Sequence, residues 1–199
     1  MKYKICVSGA AVTGTCSPEA EEMTREVGRE IVRQNGVLVT GATVGAPLWA
    51  AEGCKKEDGF SIGISPAVTE NEHVKKYKLP TKEFDIIIYT GFGYSGRNLL
   101  LIRSSDAVVI SCGRIGTLNE FTIAFEDHKP IGVLIGSGGI AEEIQEIVQE
   151  CGRPNPKIVY DDNPKKLVEK VIKLIDEDKK ATFDGKPVDY QEHKTRKKG

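Results

Sequence analysis

Short apolar segments alternate with helix-like segments along most of the chain. The apolar runs predict seven strands, at residues 3–7, 37–39, 61–64, 85–89, 107–110, 131–135 and 158–160. The segments between them predict helices at residues 18–34, 46–57, 95–104, 117–127, 140–150 and about 164–177, with an irregular loop at 65–82. In the first helix Met23, Val27 and Ile31 recur four residues apart, and Ser17 and Pro18 are residue types that begin helices.

Several predicted strands are apolar at consecutive positions rather than at alternate ones. This pattern is typical of a parallel sheet that helices cover on both faces. With the strand–helix alternation it predicts an α/β fold, a doubly wound, Rossmann-like parallel sheet of about seven strands with helices on both faces. We expect one Rossmann-like nucleotide-binding domain at residues 1–178 and a basic tail at 179–199, where seven Lys or Arg accompany three Asp or Glu.

Composition and charge exclude several classes of protein. Of the 199 residues 39% are hydrophobic and 29% are charged, and the net charge is −1, which is typical of a soluble globular protein and not of a dedicated nucleic-acid binder. No apolar run reaches the roughly 20 residues that a membrane span needs, and no secretory leader is recognisable. We therefore expect a cytoplasmic protein that binds neither a membrane nor nucleic acid.

The spacing of the cysteines and histidines is not typical of a metal site or of a disulfide framework. Five cysteines, Cys112 among them, are scattered along the chain and form no C-x-x-C pair. Their odd number and their spacing predict reduced thiols rather than disulfides. The three histidines are far apart in the sequence, so no metal site is predicted.

Glycine-rich turns follow five of the predicted strands. Ligands of open α/β sheets bind outside the carboxyl ends of the strands. Glycine lets the backbone approach a ligand there, and the following helix offers free N–H groups to an anion. The pattern predicts a phosphate-bearing small molecule that contacts Ser8, Gly9, Gly41 and Gly45, although strand–helix turns also use glycine for the fold alone.

The common nucleotide fingerprints do not fit these turns. Gly9 and Gly14 have the spacing of a P-loop, but Thr15 and Cys16 stand where Lys and Ser or Thr would be. No G-x-G-x-x-G opens the first helix, whose first turn is acidic. The sequence therefore favours neither triphosphate chemistry nor NAD binding.

The turn after the fifth strand is the most informative one, and it reads Gly113-Arg114-Ile115-Gly116-Thr117-Leu118-Asn119-Glu120. Its backbone N–H groups from 113 to 117 are suited to hold a monophosphate. Glu120 would lie one turn into the helix, near the sugar of the same ligand. A second interpretation stays open, because Thr117-x-x-Glu120 is also the pattern of a capping box with a purely structural role.

These residues resemble the motif of the LOG ("Lonely Guy") family, P-G-G-x-G-T-x-x-E with an arginine upstream. The turn matches the motif at Gly113, Gly116, Thr117 and Glu120, and Arg97 stands 23 residues before Glu120, at the family's offset. The likeness is closest to the branch of molybdenum-cofactor carrier proteins. It covers the chain from the first strand to the last helix and leaves the tail outside.

The resemblance implies a phosphoribohydrolase that cleaves the N-glycosidic bond of nucleoside 5′-monophosphates without a cofactor and forms a dimer or tetramer. The motif match implies that Arg97 and Glu120 are catalytic. It implies that the phosphate is held by Gly113, Arg114, Ile115, Gly116 and Thr117. The family's older label, lysine decarboxylase-like, is not favoured, because no lysine here has a convincing context for pyridoxal phosphate.

A carrier function stays open beside the hydrolase. Cys112 and Arg114 replace the proline and the second glycine of the family motif. A long cationic side chain in the loop could bind the phosphate or could fill the pocket. The alternative is therefore a protein that holds a nucleotide or the molybdenum cofactor without turnover.

Overall fold

The computed structural model of the protein describes residues 1–155 and 157–183, the last three of them for the backbone only. The strands are β1 (Lys4–Gly9), β2 (Val37–Thr40), β3 (Ser61–Ser65), β4 (Ile86–Tyr89), β5 (Ala107–Ser111), β6 (Ile131–Leu134) and β7 (Ile158–Asp161). The helices are α1 (Ala20–Arg33), α2 (Ala46–Lys56), α3 (Glu70–Lys75), α4 (Gly93–Ser104), α5 (Ile115–Glu126), α6 (Ile140–Glu150) and α7 (Pro164–Phe183).

The seven strands form one parallel sheet in the order β4-β3-β2-β1-β5-β6-β7. The predicted doubly wound α/β fold is confirmed. From β1 the chain builds the sheet outward to β4, then crosses back to place β5 on the other side of β1. The carboxyl ends of β1 and β5 therefore flank the point where the strand order reverses, which is where open α/β sheets bind ligands.

Two apolar layers hold the helices against the sheet. One layer joins Val27 of α1, Ala50 of α2 and Val171 of α7, while the other contains Leu101 of α4 and Phe121 of α5. All five residues of β5 are buried between these layers, which explains why the central strand is apolar at consecutive positions. Within the part of the chain that the structure describes, no helix has both the length and the apolar character that a membrane span needs.

Several local predictions differ from the structure. The predicted loop at 65–82 contains α3, where Thr69 accepts a hydrogen bond from the N–H of Glu72 and the buried His73 anchors the helix. Ser17 does not cap α1, because its hydroxyl instead donates to the carbonyl of Gly136 at 2.7 Å. These contacts come from distant parts of the fold or from a single short turn, so periodicity alone does not reveal them.

The end of the chain also differs from the expectation. The last helix, α7, continues to Phe183, beyond the predicted end near residue 177 and into the expected tail. Tyr3 donates a hydrogen bond to Asp176 of α7, and Ile175 is buried against the core. The remainder of the predicted basic tail, residues 184–199, lies outside the described residues.

Candidate functional site

The carboxyl ends of β1 and β5 form a crevice at the reversal point of the sheet. The two strands are paired so that Ser8 lies beside Ile110 and Gly9 beside Ser111. The turn after β5 leads directly into α5, whose Glu120 thus lies over the end of β1. The fold therefore places the glycine-rich turn after β1 next to the turn after β5.

Glu120 is held across this crevice by two side chains from other elements. Its carboxyl group is buried, with the residue only 6% exposed. The hydroxyl of Ser8 donates to Oε2. We assign the side-chain amide of Asn98 on α4 the orientation that gives both of its ends a partner, in which its nitrogen donates to Oε1 at 2.8 Å and to the carbonyl of Tyr94 at 2.9 Å. The carboxylate is therefore fixed in one orientation at the ligand edge of the sheet.

The capping-box interpretation of Thr117 and Glu120 is wrong. The helix α5 begins at Ile115, two residues earlier than predicted, and its N-cap is Arg114 with no side-chain cap. Thr117 therefore lies inside the first turn rather than at the cap. Because the carboxyl group of Glu120 is engaged with Ser8 and Asn98, it does not serve to close its own helix.

Burial and charge act in opposite directions on Glu120. Removal from water raises the pKa of its carboxyl group, while the positive charge of Arg97 and the hydrogen bond from Ser8 lower it. Burial dominates, so the pKa lies above its ordinary value. A carboxyl group in a crevice with a raised pKa and a nearby cation is typical of functional sites.

Arg97 is a buried cation with an unused hydrogen-bond donor. The residue is 5% exposed, and its Nε has no partner among the described residues. Its guanidinium lies 5.8 Å from the ring centroid of Tyr94 and directly against the backbone of Gly41. Because leaving a buried charge without full hydrogen bonding is costly, Arg97 is a candidate for a functional rather than a stabilising role.

The predicted phosphate-binding glycines have different structural roles. A side chain at Gly9 would collide with Ala46 and with the carbonyl of Ser111, and one at Gly45 with the carbonyl of Ala10. These glycines allow the turns to approach each other. A side chain at Gly41 would meet the guanidinium of Arg97 instead, so this glycine makes room for the arginine side chain.

The turn between β5 and α5 presents an open surface. Gly113 has a φ of 107°, which favours glycine, whereas Gly116 has open space around its α-carbon. The side chains of Arg114 and Ile115 point to solvent, so the guanidinium of Arg114 does not fill the crevice. The first-turn N–H groups of α5 have no helical carbonyl partner and remain available to an anion.

A depression of about 420 Å³ adjoins this turn on the side of α6. Thr15, Arg114, Glu142 and Glu143 contribute to its lining. Glu142 accepts hydrogen bonds from the backbone N–H groups of the turn before α6, at Gly136 and Gly138. Gly113 and Ile115 of the same turn also line this depression. The two carboxylates disfavour an anion near α6, while the charge of Arg114 acts in the opposite direction.

The prediction of reduced thiols is wrong for two of the five cysteines. Cys16, in the turn after β1, forms a disulfide with Cys112, in the turn after β5. Ser137 joins the same assembly, because its hydroxyl accepts from the N–H of Cys112 at 2.7 Å and its carbonyl accepts from the N–H of Ser17 at 2.9 Å. Three turns at the ligand edge are thus linked together.

Sequence reasoning missed this disulfide and the role of Asn98. Cys16 and Cys112 are 96 residues apart, and only the adjacency of β1 and β5 brings them together. A usable signal was present, since both cysteines follow strands at the same edge of the sheet. Asn98 follows Arg97 directly, but its contact with Glu120 depends on the packing of α4 against α5.

Comparison with known proteins agrees with this geometry. Residues 2–168 match the SLOG cluster4 family. The chain belongs to this family. An uncharacterized protein of Archaeoglobus fulgidus is 29% identical to this SLOG chain over 153 residues, which are 74% of this chain and 95% of that protein.

Two solved structures support the same assignment of the fold. The molybdenum cofactor binding protein of Rippkaea orientalis is 29% identical, with a TM-score of 0.67 over 89% of this chain and 97% of that one. The Moco carrier protein of Chlamydomonas reinhardtii is 24% identical, with a TM-score of 0.72 over 89% of this SLOG chain and 99% of that one. The resemblance inferred from the motif, with its carrier-like branch, is confirmed.

Proposed function

We propose that this SLOG protein is a nucleoside 5′-monophosphate phosphoribohydrolase. It would cleave the N-glycosidic bond and release a free base and ribose 5-phosphate. The observation that carries the proposal is the buried pair of Arg97 and Glu120 at the reversal point of the sheet. The buried Nε of Arg97 has no hydrogen-bond partner in the part of the chain that the structure describes, and Glu120 is held by other elements rather than used in its own helix.

The phosphate site in this proposal is the first turn of α5. The free N–H groups of Ile115, Gly116 and Thr117 would bind the phosphate, supported by the positive end of the helix dipole. Gly113 allows the sharp entry into the helix, and Arg114 is exposed beside the loop, where its charge would attract the anion. The remaining turns, at Gly9 and Gly45, hold the backbone walls of the crevice in place.

Glu120 would act on the pentose of the bound nucleotide. Loss of the base creates an oxocarbenium-like transition state, and an ionised carboxylate nearby stabilises its positive charge or orients the attacking water. In the overall reaction the bond from C1′ to the base nitrogen breaks, the water oxygen bonds to C1′, and the base leaves with a proton. The positive charge of Arg97 would favour the ionised form of Glu120 and so partly offset the effect of burial.

A second candidate is a carrier that holds a phosphorylated ligand without turnover. The likeness to the molybdenum cofactor binding protein at 29% identity favours it. A carrier also explains why both oxygens of Glu120 already accept hydrogen bonds from Ser8 and Asn98. Both functions require the same phosphate turn, so they differ only in whether the bound ligand is cleaved.

Incubation of the purified protein with AMP, GMP and CMP separates the two functions. Chromatographic detection of free base supports the hydrolase, and Glu120→Gln should then abolish release while ligand binding persists. If no base is released but a monophosphate raises the melting temperature, the carrier function replaces the hydrolase. Full activity of both Arg97→Ala and Glu120→Gln would show that the site lies elsewhere.

We also propose that the protein works as a homo-oligomer, a dimer or tetramer. Apolar side chains remain exposed on the outer strand β4, at Ile86 and Ile88, and on the helix that follows it in the chain, α4, at Leu99 and Leu100. Such clusters on a folded protein are typical of interaction surfaces. Residues 1–178 would form the ligand-binding domain, with the basic tail outside it.

A further inference from the structure

Tyr94 stands beside the proposed ligand site with half of its surface exposed. It lies in the first turn of α4, three residues before Arg97, and is 50% exposed although it adjoins a buried cation. The guanidinium of Arg97 is 5.8 Å from the centroid of its ring. An aromatic ring at this position therefore faces solvent at the edge of the crevice rather than the core.

The ring of Tyr94 packs against a second aromatic ring. The ring of Tyr77 meets it edge-to-face, with centroids 5.6 Å apart and planes at 86°. The backbone carbonyl of Tyr94, though not its ring, accepts the same Asn98 amide that donates to Glu120. The contact with Tyr77 restricts the exposed ring, which suits it to binding, because little conformational entropy is lost when a ligand stacks on a restricted ring.

The order of groups across the crevice matches the order of parts in a nucleotide. Gly116, at the open phosphate turn, precedes Glu120 by four residues, or about 6 Å along the helix axis. From Glu120 a single amide, that of Asn98, leads to the backbone of Tyr94. A phosphate at the turn and a pentose at Glu120 would direct the third part of the ligand, its ring system, toward Tyr94.

We propose that Tyr94 is the stacking surface for the planar heterocycle of the ligand, a nucleobase or a pterin. The proposal rests on the phosphate site of the proposed function but not on hydrolysis. Aromatic rings bind bases by stacking with little dependence on the base, because every such heterocycle has a π-face. Arg97 would bind the polar part of the ligand beside the ring.

Binding measurements with Tyr94→Ala test the proposal. Calorimetry should compare AMP with ribose 5-phosphate, which lacks the base, and a phosphorylated pterin with the same reference. Stacking on an aromatic residue is worth about 1–3 kcal/mol, so the variant should bind the ring-bearing ligand about 5- to 150-fold more weakly. Its affinity for ribose 5-phosphate should stay unchanged.

Two further variants separate stacking from a structural effect. Tyr94→Phe keeps the ring and should bind within about twofold of the original protein. Phe60→Ala removes another exposed aromatic ring, which lies at the amino end of β3, away from the carboxyl ends of the strands. This variant should leave the affinity for each ligand unchanged. An effect of Tyr94→Ala on AMP alone identifies a nucleobase, and an effect on the pterin alone identifies a pterin.

Other results would overturn the proposal. Equal weakening of ribose 5-phosphate and of the ring-bearing ligands would show that Tyr94 only supports the fold of the site. The absence of any affinity gain from either ring in the original protein would show that no ring subsite exists. If AMP binding depends on Tyr94 but no base is released, hydrolysis is refuted while the stacking site stands.

Discussion

The guanidinium of Arg97 lies directly against the backbone of Gly41. A Cβ atom at Gly41 would be 1.6 Å from Nη1 of Arg97 and 2.7 Å from its Cζ. The glycine after β2 therefore leaves room for the side chain of Arg97 on α4. Any larger residue at position 41 must displace that side chain. Because the guanidinium is the far end of a flexible chain, the arginine can move while the fold persists.

Gly41→Ala should consequently weaken ligand binding without unfolding the protein. A hydrogen bond to a charged group is worth about 1.5–3 kcal/mol, so we expect AMP affinity to fall about 10- to 150-fold. Gly14→Ala is a matched control, because open space surrounds that glycine in the turn after β1. Unchanged affinity of Gly41→Ala in calorimetry would contradict the role given to Arg97.

Ser8→Ala should shift the pH dependence of base release. The hydroxyl of Ser8 lowers the pKa of Glu120, so its removal should raise that pKa and move the acid limb of the rate profile to higher pH. Ser111→Ala on the adjacent strand is the control, since this buried hydroxyl bonds to Thr24 instead. If the two variants have identical pH–rate profiles, the hydroxyl of Ser8 does not influence the ionisation of Glu120.

Glu120→Gln should raise the melting temperature of the protein more at neutral pH than at acid pH. The pKa of Glu120 is raised on folding by burial, so its ionised form destabilises the folded state. That penalty is absent below the ordinary pKa and is complete once the pH has risen through the folded-state pKa. The gain in melting temperature of the variant should therefore be larger at about pH 8 than at about pH 4. A gain that is independent of pH would be inconsistent with the raised pKa.

Reduction of the Cys16–Cys112 disulfide should lower the melting temperature. The bond closes a loop of 96 residues, and loops of that length gain at most about 4.7 kcal/mol from cross-linking. Dithiothreitol should destabilise the original protein but not Cys16→Ser, which has already lost the bond. Cys151→Ser should behave like the original protein, because Cys151 is an exposed free thiol. If reduction exposes two additional titratable thiols but does not lower the melting temperature, the disulfide does not contribute to stability.

Ile88→Glu should convert the proposed oligomer to monomers. A carboxylate on the exposed face of β4 would be buried in the interface without a partner. Light scattering at micromolar concentration should then report half the mass or less. Lys173→Glu, on the helix α7 that packs on the other layer of the sheet, should leave the assembly intact. If the original protein is already a monomer, the exposed face of β4 is not an oligomer interface.

Much of the fold and part of the site could be predicted from local sequence. Apolar runs of three to five residues, separated by helical periodicity, determined the strand and helix order, because burial on both faces requires such runs whatever surrounds them. The turn at Gly113–Glu120 likewise indicated a loop and helix suited to phosphate. The choice of Arg97 and Glu120 as site candidates came from the family resemblance, and in the structure the two are close enough for the charge of Arg97 to lower the pKa of Glu120.

Only the tertiary structure decided which turns meet. Ser8 bonds to Glu120 across 112 residues, and the contact exists because β1 and β5 are neighbours in the sheet. The same adjacency joins Cys16 to Cys112, which composition had predicted to be free. Local periodicity reports whether a segment is buried, whereas the neighbour of each strand depends on how the crossovers pack, and that is a property of the whole chain.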